Sequence, residues 1–398
     1  MKIALITASS RPIPAVKGGA TQTMMTHLLD VNEKEQNHEF GIFSYYDSVA
    51  ADASLKYKHS RFFFYRPNAF YDKVQSYFYR ALRILTRHKE YLRSNFIHFC
   101  ANIINNESFD VVILEGNCFQ AQHMRSLINN KLLLHMHIDR LNSELKESKD
   151  IMNSVDGLIC ISNYCKKRME EVLPNKSDKI LVLKNTVDVE QFNLEGKFET
   201  RDRIRREIGA EENQLIISYC GRLVEDKGVL ELIRAIKSLK DKRLKLMIIG
   251  SSVYVGSKKT AYVHKLEHEA ADLLGGVIFT GFISQKELPD YVKAADIAVV
   301  PSICREAAGN VIIEALGCGT PVVASTQGGI PEYADETACE LVKCDADFVS
   351  NIANAIKKLT TNKELYLTKS NNARKIAIQY NKFNYYTNFT NIVNQLCK

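Results

Sequence analysis

Short runs of consecutive apolar residues alternate along the chain with longer segments in which apolar positions recur every three or four residues. Runs at 3–8 (IALITA), 39–45, 109–115 (FDVVILE), 131–138 (KLLLHMHI), 156–162 (DGLICIS) and 180–184 predict strands. A second series follows at 214–220 (QLIISYC), 244–250 (LKLMIIG), 277–281, 297–300 and 321–325 (PVVAS). Between the runs lie helical patterns. In 229–240, Val229, Leu232, Ile233, Ile236 and Leu239 fall on one helix face. Strands that are apolar at nearly every position are buried on both faces, so the pattern predicts parallel sheets covered by helices on each side.

The alternation restarts. Near the N-terminus a strand leads into Gly18-Gly19-Ala20 and a helix, and near residue 214 another leads into Gly221-Arg222, then Gly228 and a helix. Residues 189–213, between the two series, are polar and weakly periodic. The expected organisation is two doubly wound, Rossmann-like α/β domains, 1–190 and 200–375, joined by a linker near 189–200. The aromatic-rich segment 376–398 is expected to pack back on the first domain.

Composition narrows the class. At 398 residues, with 45% hydrophobic and 25% charged positions, the chain is neither disordered, collagen-like nor a small disulfide scaffold. The opening apolar stretch is too short for a signal-peptide core, and no run approaches the ~18 apolar residues of a membrane span. Ten cysteines include no Cys-x-x-Cys pair, and no His stands near enough to complete a zinc site. A reduced, cytoplasmic setting is expected.

Two segments carry chemistry. In 300–325 (VPSICREAAGNVIIEALGCGTPVVAS) a strand ends, a polar loop holds Arg305 and Glu306, and Gly309-Asn310 opens a helix. Ligands of open α/β sheets bind at the carboxyl ends of strands, and a helix start offers unpaired N–H groups to a phosphate. Glu314 is the lone charge in an otherwise apolar helix; it requires either a nearby Lys or Arg, or the hydroxyls of a ligand. In Gly221-Arg222-Leu223-Val224-Glu225-Asp226-Lys227-Gly228, two cations five apart flank a loop that directly follows a strand, a pattern able to clamp a diphosphate. Neither this loop nor 250–259 is a Walker A motif, and no Gly-x-Gly-x-x-Gly follows the first strand. Asp345-Ala346-Asp347 reads as the start of a helix, with acids at its positive end.

Together these segments resemble the retaining GT-B glycosyltransferases of family 4. Glu306 and Glu314 match the family's E-x7-E signature, and GRLVEDKG resembles its phosphate clamp. Gly18-Gly19-Ala20, ICISNYCKKRM, LKNTVDVEQF, FTGFISQKEL and ADIAVVPS match in order. The resemblance implies two Rossmann-like domains facing each other across a cleft. It implies that Arg222 and Lys227 bind the donor diphosphate and stabilise the leaving nucleotide, in place of a metal. Glu306 would hold sugar hydroxyls, with Ala307, Ala308, Gly309 and Asn310 near the distal phosphate. Glu314 would hold the ribose, and Phe282-Ile283 would contact the base. Gly18 and Gly19 would let the first loop approach the phosphates. His137 is expected near the reacting centre; His135, two residues earlier on the same strand face, leaves open which of the pair is functional. No cofactor and no metal are expected beyond the nucleotide-sugar co-substrate. Two departures stand out: Ala307-Ala308 replaces a bulkier stretch, and Gly250-Ser251-Ser252 replaces a Gly-x-Gly.

Net charge is +7, yet residues 56–93 alone carry +8 and the other 360 residues sum to −1. That segment also holds eleven aromatics. Its basic and aromatic side chains, among them Arg61, Arg66, Tyr77, Phe78, Arg80, Arg83 and Arg87, suit an anionic membrane surface. A solvated helix with its aromatics turned to the core is the competing reading. Single-stranded nucleic acid is a third, but no binding motif accompanies it and no nucleic acid is expected. The combined expectation is a retaining enzyme of bacterial cell-surface glycan synthesis, of the capsule, exopolysaccharide or spore-envelope kind. It would move a hexose or N-acetylhexosamine from a nucleotide sugar, UDP favoured, to a lipid-linked or polysaccharide acceptor at the inner face of the membrane. A GT-B nucleotide-sugar epimerase and a non-catalytic protein that keeps the fold remain as alternatives.

Overall fold

Thirteen strands form two parallel sheets among the residues described by the computed structural model, which are 1–7, 9–67, 94–251 and 259–398. The chain divides into two units: Met1–Lys184 with Lys382–Lys398, and Asn185–Asn381.

The first unit contains β1 (Lys2–Thr7), β2 (Glu39–Tyr45), β3 (Ser60–Tyr65), β4 (Val111–Glu115), β5 (Lys131–Met136), β6 (Gly157–Cys160) and β7 (Ile180–Val182), in the order β3-β2-β1-β4-β5-β6-β7. The second contains β8 (Leu215–Cys220), β9 (Leu244–Ile249), β10 (Val277–Gly281), β11 (Ile297–Val300), β12 (Val322–Ser325) and β13 (Cys339–Val342), in the order β10-β9-β8-β11-β12-β13. Both orders reverse direction once, between β1 and β4 and between β8 and β11. Such a reversal splays the two flanking loops apart and opens a crevice at the carboxyl ends of the strands. The central strands are buried on both faces, as continuous apolar runs require: Ile3, Leu5, Ile6 and Val111–Leu114 are fully inaccessible.

Two strands escaped the hydrophobic pattern, β3 and β13, both at sheet edges. The run Arg61-Phe62-Phe63-Phe64-Tyr65, read from sequence as part of a membrane-facing segment, is edge strand β3. Phe63 stacks on Phe43 with ring centroids 4.8 Å apart, and Tyr65 meets Tyr45 edge-on. Its cations also find partners within the unit. Arg61 pairs with Glu107 at 2.7 Å, and the Arg66 guanidinium lies 3.8 Å from the Tyr46 ring centroid. Arg61 lies on an edge strand and Arg66 just after it, not on the helix that the competing reading placed there. Tyr77, Phe78, Arg80, Arg83 and Arg87 lie outside the described residues. Among the described residues no helix is long and apolar enough to cross a membrane.

The unit boundaries fall at 184/185 and 381/382 rather than at 190/200 and 375/376. The expected linker is instead built into the second core. Val187 and Phe192 are buried there, and Arg374 donates to the carbonyls of Phe192 (2.6 Å) and Val189 (2.8 Å). Ile376 and Ala377 belong to the same core. The helix Phe348–Thr361 does start after the Asp345-Ala346-Asp347 run, but Asp347 makes no side-chain cap; Asp345 Oδ1 accepts the Asp347 N–H at 3.0 Å instead.

The helix Lys382–Cys397 returns to the first unit and closes its core with Tyr385, Tyr386, Phe389, Val393 and Leu396. The Tyr386 hydroxyl donates to Asn32 Oδ1 at 2.6 Å, which satisfies a polar group that burial would otherwise strand. Phe389 is fully buried against Phe40. Truncating it leaves a cavity, so Phe389→Ala is expected to destabilise the first unit by about 3–5 kcal/mol. Urea unfolding monitored by circular dichroism would show an earlier transition for that unit, with the second unit's transition unmoved.

Candidate functional site

In the second unit the loops after β8 and β11 lie against each other. Gly228, at φ +68°, ends the first loop, and a Cβ there would sit 1.8 Å from the Pro301 carbonyl oxygen. That approach lets the Asp226 carbonyl accept the N–H groups of Ile303 (2.9 Å) and Cys304 (3.1 Å). A second close approach lies beside it: Gly250, at φ +136°, would place a Cβ 2.0 Å from the Gly221 carbonyl oxygen. Of the expected Gly-x-Gly replacement, Gly250 therefore keeps a steric requirement for glycine; Ser252 lies outside the described residues. Gly328 packs equally closely against the Glu306 backbone, and Gly329 donates to the Glu306 carbonyl at 2.7 Å.

This framework joins two of the expected residues directly. The Lys227 ammonium pairs with Glu306 Oε1, and the Ser302 hydroxyl donates to the same oxygen at 2.7 Å. Both charged side chains are largely sequestered, at 17% and 22% exposure, so each neutralises a charge that its surroundings hydrate poorly. Arg222, on the same loop, is exposed, and no ion pair engages it among the described residues. The Tyr219 hydroxyl fixes the loop from below by donating to the Arg222 carbonyl at 2.7 Å.

The helix Asn310–Gly317 starts at Gly309 without a side-chain cap. The Gly309 carbonyl accepts the Ile312 N–H at 2.9 Å, and the N–H groups before it have no side-chain cap. Asn310 is held from outside the helix: Asn185 Nδ2 donates to Asn310 Oδ1 at 2.7 Å, and the Asn185 N–H donates to the Tyr333 hydroxyl at 3.0 Å. Ala307 and Ala308 line the loop as half-buried small side chains. Glu314 finds no cationic partner among the described residues. It accepts one long hydrogen bond, 3.4 Å from Gln285 Nε2. Gln285 belongs to the loop after β10, where Phe282 is half exposed and Ile283 packs on the core. Burial drives the Glu314 carboxyl up to about 7, and the Gln285 bond offsets only part of that.

In the first unit, Gly18 (φ +66°) and Gly19 (φ +111°) shape the loop after β1 and open the helix Ala20–Glu35 without a side-chain cap. At the carboxyl ends of β4 and β5 a cluster forms that sequence reasoning saw only in part. Glu115 and His135 are register partners across the two strands. His137 Nε2 lies 2.7 Å from Glu115 Oε2, and His135 Nδ1 lies 3.0 Å from the same oxygen. His135 is fully buried, and His137 keeps 7% side-chain exposure. Burial opposes ionisation of Glu115, but the two imidazoles outweigh it and hold the carboxyl down at about 2. Glu115 carried no sequence signal of its own; a carboxylate ending the strand before a His-x-His strand would have flagged it, had the register been known.

Residues 200–376 match the family model of glycosyl transferases group 1. The Bacillus subtilis (strain 168) protein YtcC, which carries a glycosyltransferase name, is 25% identical over 386 residues, 94% of this chain and 87% of that protein. The lipopolysaccharide 1,2-N-acetylglucosaminetransferase of Salmonella typhimurium is 29% identical over 241 residues, 59% of each chain. Among solved structures, Anabaena HepE in complex with UDP and glucose superposes with a TM-score of 0.77 at 18% identity, covering 99% of both chains. That likeness establishes the GT-B fold.

The folded chain keeps a proton on Glu314 between about pH 4.5 and pH 7 that the unfolded chain releases. This group's contribution to stability therefore falls as pH rises through that window. Glu314→Gln removes the ionisation, so its melting temperature should gain on the wild type as pH rises. The relative gain of Glu314→Gln builds up between about pH 4.5 and pH 7 and levels off above it, so thermal melts from pH 4.5 to pH 8 test this, and a pH-independent difference contradicts it.

Proposed function

We propose that this chain, whose second unit carries the glycosyl transferases group 1 domain, is a retaining glycosyltransferase. It moves a hexose or N-acetylhexosamine from a nucleotide-diphosphate sugar, UDP favoured, to a lipid-linked or polysaccharide acceptor. The observation that carries the reading is the grouping of Lys227, Glu306 and Ser302 beside an uncapped helix start, with an unpaired carboxylate at Glu314 on that helix. The group 1 match supports transfer of a glycosyl group, and the UDP complex of HepE supports a UDP-sugar donor.

In this reading the donor diphosphate draws Lys227 away from Glu306 and takes Arg222 as a planar fork. Glu306, released, accepts hydrogen bonds from the sugar hydroxyls, and the start of the helix Asn310–Gly317 faces the distal phosphate. Glu314 accepts from the ribose hydroxyls, which replace the water its burial has removed. Phe282 offers an exposed ring and Ile283 its backbone to the base. The bond from the anomeric carbon to the phosphate oxygen breaks as the acceptor oxygen bonds to the same face of the sugar. The acceptor's proton passes to the departing phosphate oxygen, and the two cations hold the charge that develops there.

Lys227→Ala and Glu306→Ala should each lower the rate of nucleotide release from donor sugar by at least ~10²-fold, the scale on which a preorganised charge partner contributes. Thermal melts should show both variants folded, and full activity in both would sink the reading. Calorimetric titration of UDP-, GDP- and dTDP-sugars identifies the base. For the acceptor, the basic and aromatic segment 56–93 supports a peripheral position on an anionic membrane. Flotation with anionic liposomes should weaken on neutralising Arg80, Arg83 and Arg87 together; unchanged flotation removes the segment from that role.

A further inference from the structure

We propose that Arg140, held against the ring of Phe119, binds an oxyanion on the acceptor sugar, so that the acceptor is an acidic glycan. The inference rests on the transferase reading and names its second substrate. The order of the first sheet reverses between β1 and β4, which opens a crevice at the carboxyl ends of the strands. The proposed donor contacts lie in the second unit, and this crevice is left for the acceptor. Phe119 and Arg140 stand at that end of the sheet, in the loops that follow β4 and β5.

Local structure presents the two side chains to solvent. The Gly116 N–H donates to the His135 carbonyl at 2.6 Å, which ties the start of the first loop to β5. In the turn Cys118–Gln120, Cys118 and Gln120 are buried and the Phe119 ring between them is exposed. Ile138 and Arg140 are exposed on the second loop. The Arg140 guanidinium lies 5.5 Å from the Phe119 ring centroid, close enough for a cation–π contact that restrains it without using its N–H groups. The acids nearby are already paired. Arg168 holds Asp139 and Glu144, each at 2.9 Å, and Tyr164 and Asn142 also donate to Asp139, at 3.1 and 3.0 Å. Arg140 is therefore left without an ion pair among the described residues. A planar guanidinium fork in that state is complementary to a carboxylate or a phosphate. A sugar carrying that group would cover the exposed apolar surface of Phe119 and Ile138 with its C–H faces.

The test titrates three sugars into the full chain by saturation-transfer NMR. Methyl β-glucuronide carries a carboxylate, glucose 6-phosphate carries a phosphate, and methyl β-glucoside is neutral. At least one acidic sugar should bind ~10-fold or more tightly than the neutral one, the scale on which a hydrogen bond between charged groups contributes. The stronger of the two acids identifies the oxyanion, and the preference should shrink as salt rises. Arg140→Gln should abolish the preference, and Arg140→Lys should keep part of it. Phe119→Leu keeps an apolar side chain and removes the ring; it should lower the preference, a change in charge selection that a purely structural role does not produce. Equal binding of all three sugars by the wild type, or binding of none, overturns the inference, as does a preference that survives Arg140→Gln. Titration of UDP into the same preparation keeps the two readings apart. A wild type that binds UDP without preferring acids loses the acidic acceptor and keeps the transferase. One that prefers acids without binding UDP keeps the Arg140 site and loses the donor reading.

Discussion

The site in the second unit depends on one close approach, that of Gly228 to the Pro301 carbonyl. A side chain at 228 would push the β8 loop away from the β11 loop, since its Cβ would fall 1.8 Å from that oxygen. Only with the loops in contact can the Asp226 carbonyl collect two N–H groups from 303–304, and only then does Lys227 reach Glu306. The parallel sheet supplies the starting positions, because β8 and β11 are neighbours on either side of the strand-order reversal. The glycine supplies the last few ångströms. A local conformational freedom thus determines which charges meet.

The two units treat buried carboxylates in opposite ways. Glu314 is left with a single long hydrogen bond from Gln285, and burial drives its carboxyl up to about 7. No cation offsets that rise among the described residues. Glu115 is more deeply buried, at 1% exposure, yet has two imidazoles within 3.0 Å, which hold its carboxyl low. Its partners are internal, and what remains unsatisfied there is the geometry of His135. Lys227 and Glu306 form a third arrangement, a partly sequestered pair in which each charge is the other's partner.

Eleven of the thirteen strands among the described residues could be read as apolar runs, because a strand buried on both faces shows its burial in every residue. The two missed strands sit at edges. β13 is four residues long and carries Glu340, which pairs with Lys358 and Lys369. β3 reads Ser-Arg-Phe-Phe-Phe-Tyr, without the even apolar run of the other strands; its pairing with β2, whose Phe43 and Tyr45 meet Phe63 and Tyr65, is what makes it a strand. The linker failed for a similar reason. Phe192 and Val189 look like isolated apolar residues in a polar stretch until the helix carrying Arg374 is folded against them.

By itself the sequence determined the class of fold, the repetition of a strand-to-glycine-to-helix unit, and the residues of the E-x7-E and Gly-Arg…Lys-Gly segments. Those are local patterns, in which a residue's type and spacing carry the information. The tertiary structure alone decided the pairings: that Lys227 closes on Glu306, that Glu314 has Gln285 and no cation among the described residues, and that Glu115 joins His135 and His137. Each pairing joins side chains from different strands or loops, 20 to 79 positions apart. Strand register and loop contact set those distances, and neither leaves a periodic trace along the chain.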